Sequence, residues 1–376
     1  MQGKPPYKFT SGIKSLGTRV ASRIPYMQIR GGSSKGIFFD TADLPESGEE
    51  RDKVILAAME GLRPGDIRQI DGLGGGDPLT AKVALVSRSA REDADLDYLF
   101  LQVVVGEGRL SAAQGCGNIL AGVLHFTIES GMLSPTDPTT KAVVHMVNNG
   151  GLCEVTVQTP DFKLAVAGSA KVDGVQGTGA PVICNYLETV GINCGKLLPT
   201  GSVLDEVDGV QVTCVDNGMP VVALRVTDFG ITGYESKEEL DSNEDLKKRL
   251  ESIRLQMGPK MNLGDVSHLT VPKMCLLSPP RSGGLMNTRT FIPHQCHAAI
   301  GVMGAFSVAV AGLLPGSIAE GIADAPNDST SVILEHPSGQ FTLSLKSSSK
   351  NSELEIHESG AIRTARIISK GEVYIP

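Results

Sequence analysis

The chain has 376 residues, of which 41% are hydrophobic, with 44 glycines, no tryptophan and a net charge of −8 at neutral pH. This is the composition of a globular protein long enough for two domains and a large core, and it excludes a disordered chain. The acidic balance argues against nucleic acid or an anionic membrane as the main partner, so an acidic small molecule would need a local positive pocket.

Residues 1–22 stand apart as an N-terminal extension containing Lys4, Lys8, Lys14 and Arg19 and no acid. They read as a solvated tail on a cytoplasmic protein, with an organelle transit peptide as the alternative. The first motif is "IRGGSSKGIFF", Ile29 to Phe39. Its free backbone N–H groups with Ser33 and Ser34 could hold a carboxylate. It lacks the spacing of a phosphate-binding P-loop. "DGLGGGDPLTAKVALV" then places Lys82 inside an apolar, strand-like segment. A lysine there is either a desolvated base or an edge-strand side chain reaching for water.

"SAAQGCGNILAGV", Ser111 to Val123, sets Cys116 between two glycines where a helix begins. A helix start leaves several backbone N–H groups free and carries partial positive charge. Glycine lets a ligand approach that backbone closely. A thiol at such a point suits proton transfer, and Gly117 and Asn118 suit a carboxylate; a buried structural cysteine is the alternative. The pattern predicts a helix over 119–130. Strands are expected at "YLFLQVVV", "KAVVHMVNN", "CEVTVQT", "KLAVAG", "VQVTCVD", "PVVALRV", "SVILEHP" and "QFTLSLK".

The Pro- and Gly-containing stretch 197–209 reads as the linker, and 236–257 as one polar surface helix with acids early and bases late. Arg281, in "SPPRSGG", is a candidate carboxylate clamp, with a surface arginine as the equal alternative. "FIPHQCHAAIGVMGA" brings His294, Cys296 and His297 before a second apolar helix over 302–314, with Met303 at its start. No further cluster completes a metal site, so no metal is expected and His297 reads as a donor to an anionic ligand. The uncharged run 298–314 is shorter than a membrane span and reads as a helix buried in a soluble domain. The seven cysteines are odd in number and scattered, which suits reduced thiols.

The chain also repeats itself. "GIFFDTADLP" matches "VVALRVTDFG" when Asp43 is laid on Asp228, and "GGDPLTAKVALV" matches "GDVSHLTVPKMCLL" with Lys82 over Lys273. The offset of the first match carries Cys116 onto Gly301. Two related halves follow, each mostly strand with one apolar helix: 23–198, holding Lys82 and Cys116, and 199–376, with the option that the last strand returns to the first half.

"RGGSSKG", "GLGGGDPLTAKVALV", "GCGNILAGV" and "FIPHQCHAAIGVMGA" resemble the methylaconitate isomerase (PrpF-like) family from Arg23 to the C-terminus. The resemblance implies an α/β (α+β) diaminopimelate-epimerase-like fold, two pseudo-symmetric domains each with a curved sheet around a central apolar helix. It implies cofactor-independent proton transfer on an unsaturated tricarboxylate, with Lys82 and Cys116 as catalytic residues. The favoured substrate is 4-oxalomesaconate, from gallate-type aromatic degradation, and the alternatives are aconitate, methylaconitate and methylitaconate. It also implies a homodimer. Family members commonly carry Asn before the cysteine and Thr in the first loop, where this chain has Gly115 and Ser33, which leaves substrate choice open. Epimerases of this fold use two thiols; with Gly301 opposite Cys116, a lysine–cysteine pair remains. Ser33, Ser34, Gly117, Asn118, Arg281, His297 and Met303 are the expected substrate contacts. A Cys116–His297 hydrolase and a non-catalytic anion-binding protein are the readings of other classes.

Overall fold

The computed structural model describes residues 22–113, 115–324, 331–350 and 353–375. Apart from Ser22, the N-terminal extension lies outside them. The first half comprises β1 (Ser22–Gly31), β2 (Ser34–Asp40), α1 (Gly48–Glu60), β3 (Lys82–Arg88), β4 (Leu96–Val104), β5 (Arg109–Ser111), α2 (Gly117–Leu120), α3 (Val123–Glu129), β6 (Thr139–Met146), β7 (Gly151–Gln158) and β8 (Pro181–Tyr186). The second comprises β9 (Asp205–Val207), β10 (Val210–Asp216), β11 (Pro220–Arg225), α4 (Lys237–Ser242), α5 (Glu244–Lys260), β12 (Lys273–Ser278), β13 (Met286–Phe291), α6 (Val302–Leu313), β14 (Val332–His336) and β15 (Gly339–Lys350). The long strand β16 (Glu353–Ile375) serves both.

The strands pair in the order β1-β2-β3-β4-β6-β7-β8-β16-β15-β14-β13-β12-β11-β10-β9, with β5 beside β4. Because β16 also pairs with β1, the first eight strands of that path close on themselves. Closure leaves the first half without a free edge around α2 and α3. The sheet then continues through β15 and curves past α6, which packs on β10, β11, β14 and β15. One core unites the inner faces, running from Ile119, Leu120 and Leu124 through Tyr186 to Phe306 and Val310.

Two outer helices complete the layers. α1 packs on Ile37, Phe39, Val83 and Leu85, while Phe38, Ala84 and Val86 of the same strands face the inner core. Parallel strands covered on both sides need continuous apolar runs, which is why "GIFF" and "KVALV" do not alternate. α5 covers β10–β12 in the same way with Leu246, Leu250, Ile253 and Met257.

Several predicted elements differ in detail. The helix expected over 119–130 is broken into α2 and α3 at Gly122, whose missing side chain makes room for the core: a Cβ there would lie 2.7 Å from Phe38 and 3.0 Å from Ile29. The helix expected over 236–257 is also two. Ser236 and Glu239 form a capping box on α4, and Asn243 starts α5 by accepting from the Leu246 N–H. "KLAVAG" is not a strand; Gly168 lies against the Gly179–Ala180 backbone instead. The stretch 197–209 contains β9, which pairs with β10.

Candidate active site

The two halves repeat in register. Gly36 of β2 pairs with Lys82 in a parallel ladder, and Val221 of β11 pairs with Lys273 in another; Val221 lies 185 residues after Gly36. The same offset takes Cys116, the N-cap of α2, to Gly301, the N-cap of α6. Asp43 and Asp228 both lie in 3-10 turns that follow the matching strands. One helix mouth therefore holds a thiol where its counterpart holds a bare glycine.

The first mouth is built by glycines. A Cβ on Gly31 would fall 2.2 Å from the Asn118 carbonyl oxygen, and one on Gly32, at φ +52°, would fall 2.1 Å from Asn118 Oδ1. Only glycine lets the β1–β2 turn approach α2 so closely. Arg30 fixes that turn to β16 by donating to the carbonyls of Gly32 and Thr364 and to the Thr364 hydroxyl, each at 2.9 Å. Asn118 Nδ2 then donates to Ser33 Oγ at 3.2 Å and Ser34 Oγ at 3.5 Å. Ser33, Ser34 and Asn118 thus form one polar group, next to Cys116 and Gly117 at the start of α2.

Lys82 opens β3 and is buried, at 7% exposure. Its Nζ donates to Gln102 Oε1 at 2.8 Å and lies 5.1 Å from the centre of the Phe100 ring. The Gln102 amide nitrogen is occupied by the carbonyls of Pro78, Ala81 and Val103, so its oxygen is held toward the lysine. Tyr98, Phe100 and Gln102 alternate onto one face of β4. Along that face Tyr98 donates to the Cys116 carbonyl at 3.1 Å, while Phe100 and Gln102 hold Lys82. A single strand face therefore carries contacts to both proposed reacting groups.

The second mouth stands beside the first. A Cβ on Gly117 would lie 3.7 Å from Val302 Cγ2 and 2.5 Å from Tyr186 Oη, and the Tyr186 ring packs on Phe306 of α6 at 5.6 Å. Met303, the second residue of α6, is half-buried beside Gly218 and Thr189. His297 Nδ1 accepts from the Ala299 N–H at 2.8 Å, which leaves Nε2–H as its donor. Burial lowers the His297 pKa, so the ring is neutral at neutral pH. Lys273, the counterpart of Lys82, is lowered to about 8 by burial and by the nearby Arg254 charge. Unlike Lys82 it donates to a backbone carbonyl, that of Thr270, at 2.7 Å.

Arg281 does not join the helix mouths. Its guanidinium lies over the Tyr234 ring and its backbone N–H donates to Glu335. It lines a cavity of about 560 Å³ with Arg289, His336 and Gln340, and neither Lys82 nor Cys116 is on that wall. His294 is exposed and faces Glu251 at 3.7 Å. Among the described residues no group of three or more His, Cys, Asp or Glu side chains is arranged to hold a metal ion. Sequence reasoning missed Tyr98, Gln102 and Tyr186; the one signal was a lone amide in the apolar run "YLFLQVVV".

The family model described as PrpF protein matches residues 21–376. The chain belongs to the PrpF family. Among its relatives, the 4-oxalomesaconate tautomerase of Pseudomonas putida is 50% identical over 358 residues, 94% of this chain and 96% of that one. The (4E)-oxalomesaconate Delta-isomerase of Novosphingobium sp. is 47% identical over 93% of this chain and 97% of that one. A solved structure of methylitaconate-delta-isomerase superposes with a TM-score of 0.85 at 32% identity, covering 94% of this chain and 96% of that one. The architecture of this PrpF protein is therefore the expected diaminopimelate-epimerase-like fold.

Proposed function

We propose that the protein is an isomerase that converts 4-oxalomesaconate between tautomers or double-bond isomers, by proton transfer without a cofactor. The observation that carries this reading is 50% identity, over nearly the whole of both chains, to a relative with that name, in a chain whose strand β4 contacts both a buried lysine and the cysteine at the start of α2 from one face. As the free amine, Lys82 takes a proton from a carbon made acidic by the adjacent oxo group or conjugated carboxylate. The electron pair left on carbon moves into the conjugated oxo-acid, giving an enolate. Backbone N–H groups at the two helix mouths stabilise that charge where it develops. The proton is returned to another carbon or to the enol oxygen, with Cys116 as donor or relay.

Ser33, Ser34, Gly117 and Asn118 hold one carboxylate, and His297 and Met303 meet the substrate from the second half. Arg281, facing a separate cavity, is the weakest of the proposed contacts. The resemblance further supports a cytoplasmic homodimer acting in aromatic acid degradation. Among the described residues no helix is long and apolar enough to cross a membrane.

A second reading, a methylitaconate or methylaconitate isomerase, draws on the 32% identical solved structure. A substrate panel separates the two. Turnover of 4-oxalomesaconate followed by ultraviolet absorbance, far above that of aconitate, methylaconitate and methylitaconate, is the expected result. The reverse ranking would replace the first reading with the second. A covalent acyl adduct on Cys116 would favour a hydrolase instead.

A further inference from the structure

The second half carries a polar wall on the face of its sheet that is turned away from α6. Along β13, Met286 belongs to the inner core around α6, whereas Phe291 belongs to the outer cluster under α5. Side chains alternate along a strand, so Asn287 and Arg289 share the outer face with Phe291. Asn287 is opposite Glu335 of β14, and Glu335 is opposite Gln340 of β15; residues opposite one another share a face. All four line the cavity of about 560 Å³ that Tyr234 and Arg281 also wall. The second helix mouth, at the start of α6, belongs to the opposite face.

Both arginines on this wall are held in place without an acid. Arg289 is 6% exposed, and arginine is rarely buried without a paired carboxylate because desolvating its charge is costly. Its Nε donates to the Glu235 carbonyl at 3.0 Å, and Nη1 donates to Asn287 Oδ1 and the Thr288 carbonyl, each at 2.9 Å. Among the described residues it has no ion-pair partner, and Nη2 has no acceptor. Nη2 is not enclosed by protein, and Arg289 lines both this cavity and an adjoining one of about 480 Å³. The Arg281 guanidinium lies 3.3 Å from the centre of the Tyr234 ring, and that ring is fixed by its hydroxyl donating to the Pro279 carbonyl at 2.8 Å. The Arg281 side chain makes no hydrogen bond or ion pair among the described residues. The acids of the wall are engaged elsewhere. Glu335 accepts from the backbone N–H groups of Arg281, Ser282 and Gly284 at 2.8, 2.5 and 3.1 Å. Asp173 accepts from the Gln340 N–H at 2.5 Å and faces His336 Nε2 at 3.9 Å.

We propose that this cavity is a second anion-binding site, separate from the helix mouths, which takes one oxyanion group, a phosphate or a carboxylate. The free fork of Arg281 and Nη2 of Arg289 supply charge-assisted hydrogen bonds. The arriving anion offsets the cost of burying the Arg289 charge without an acid. Stacking on Tyr234 and the backbone acceptors of Arg289 position both guanidinium groups in advance, so little side-chain ordering is left for the ligand to impose. The Asp173 and Glu335 charges disfavour a second anionic group beside the first. The site stands whichever acid the enzyme isomerises.

The test uses the full chain and two probes, inorganic phosphate and propane-1,2,3-tricarboxylate, the latter having no oxo group or double bond to react. Binding is measured by calorimetry for the wild type, Arg281→Ala, Arg289→Gln and Asn118→Ala, with a thermal melt of each free protein. Asn118→Ala alters the first helix mouth and serves to separate the two sites. At least one probe should show binding that Arg281→Ala and Arg289→Gln each weaken at least about tenfold and that Asn118→Ala leaves unchanged. Phosphate behaving so identifies a phosphate-bearing ligand, and the tricarboxylate behaving so identifies an organic acid; either supports the site. Arg281 is exposed and its side chain makes no hydrogen bond, so Arg281→Ala should melt with the wild type. That variant decides the matter if loss of the Arg289 contacts lowers the melting temperature of Arg289→Gln. Failure of the wild type to bind either probe would overturn the proposal. So would binding of both probes by Arg281→Ala as tightly as by the wild type, or binding that only Asn118→Ala weakens.

Discussion

Replacing Gly117 with alanine isolates the geometry of the first helix mouth. Gly117 is the first residue of α2, where alanine is favoured over glycine by about 1 kcal/mol on backbone grounds. The new Cβ, however, would lie 2.5 Å from Tyr186 Oη. That is about 1 Å inside ordinary van der Waals contact. Tyr186 cannot simply swing away, because its ring packs on Phe306 and its strand is paired on both sides, to β7 and β16. Overpacking of this kind costs about 1–3 kcal/mol, so net stability should fall slightly or stay level. Activity should fall far more, because a displacement of about 1 Å among positioned groups can cost about a hundredfold in rate. Gly115→Ala is the internal control: a Cβ there meets nothing within 4 Å. The assay is kcat/KM for oxalomesaconate isomerisation with a thermal melt for each variant. Wild-type activity in Gly117→Ala, or an equal loss in Gly115→Ala, would refute the reasoning.

Gln102→Leu should remove the acceptor that aims the Lys82 amino group and leave a buried N–H donor unpartnered. Stability should drop by about 1–3 kcal/mol and kcat should fall at least tenfold; a change in KM alone would argue against the positioning role. His125 is buried in α3 with Nδ1 unpartnered, and burial, with the Arg30 charge, lowers its pKa from 6.5 to about 4. The folded state therefore disfavours the protonated ring. Its contribution is fully present above about pH 6.5 and is lost as pH falls toward about 4, a change on the order of 3 kcal/mol. His125→Leu should lose less stability than the wild type between pH 7 and pH 4.5 in denaturant titrations. Equal losses in the two proteins would exclude this residue as the cause.

The parts of the site that were legible in the sequence are those written in local spacing. Glycines around Cys116 mark a helix start with close approach, and the structure places Cys116 as the cap of α2. The repeat found Gly301 through its constant offset and Lys273 through a motif match with a few inserted residues, and the two parallel ladders put Lys82 and Lys273 at equivalent positions. Gln102 and Tyr186 were not legible. What Gln102 does depends on facing Lys82 across an antiparallel pair. What Tyr186 does depends on β8 lying beside a strand more than 170 residues later. The position of Arg281 was not legible for the same reason: "PPRSGG" specifies a turn, but the sheet decides which cavity that turn faces. The single helix read over 236–257 overlooked a local stop, since Asn243 followed by two acids is a fresh cap inside an amphipathic run.

The central claim is that Lys82 moves a proton to and from carbon. Proton NMR of 4-oxalomesaconate in D2O tests it most directly. The wild type should wash solvent deuterium into the carbon adjacent to the conjugated system, and folded Lys82→Ala should show no incorporation above the uncatalysed rate. Wild-type deuterium incorporation in the Lys82→Ala variant would contradict the account.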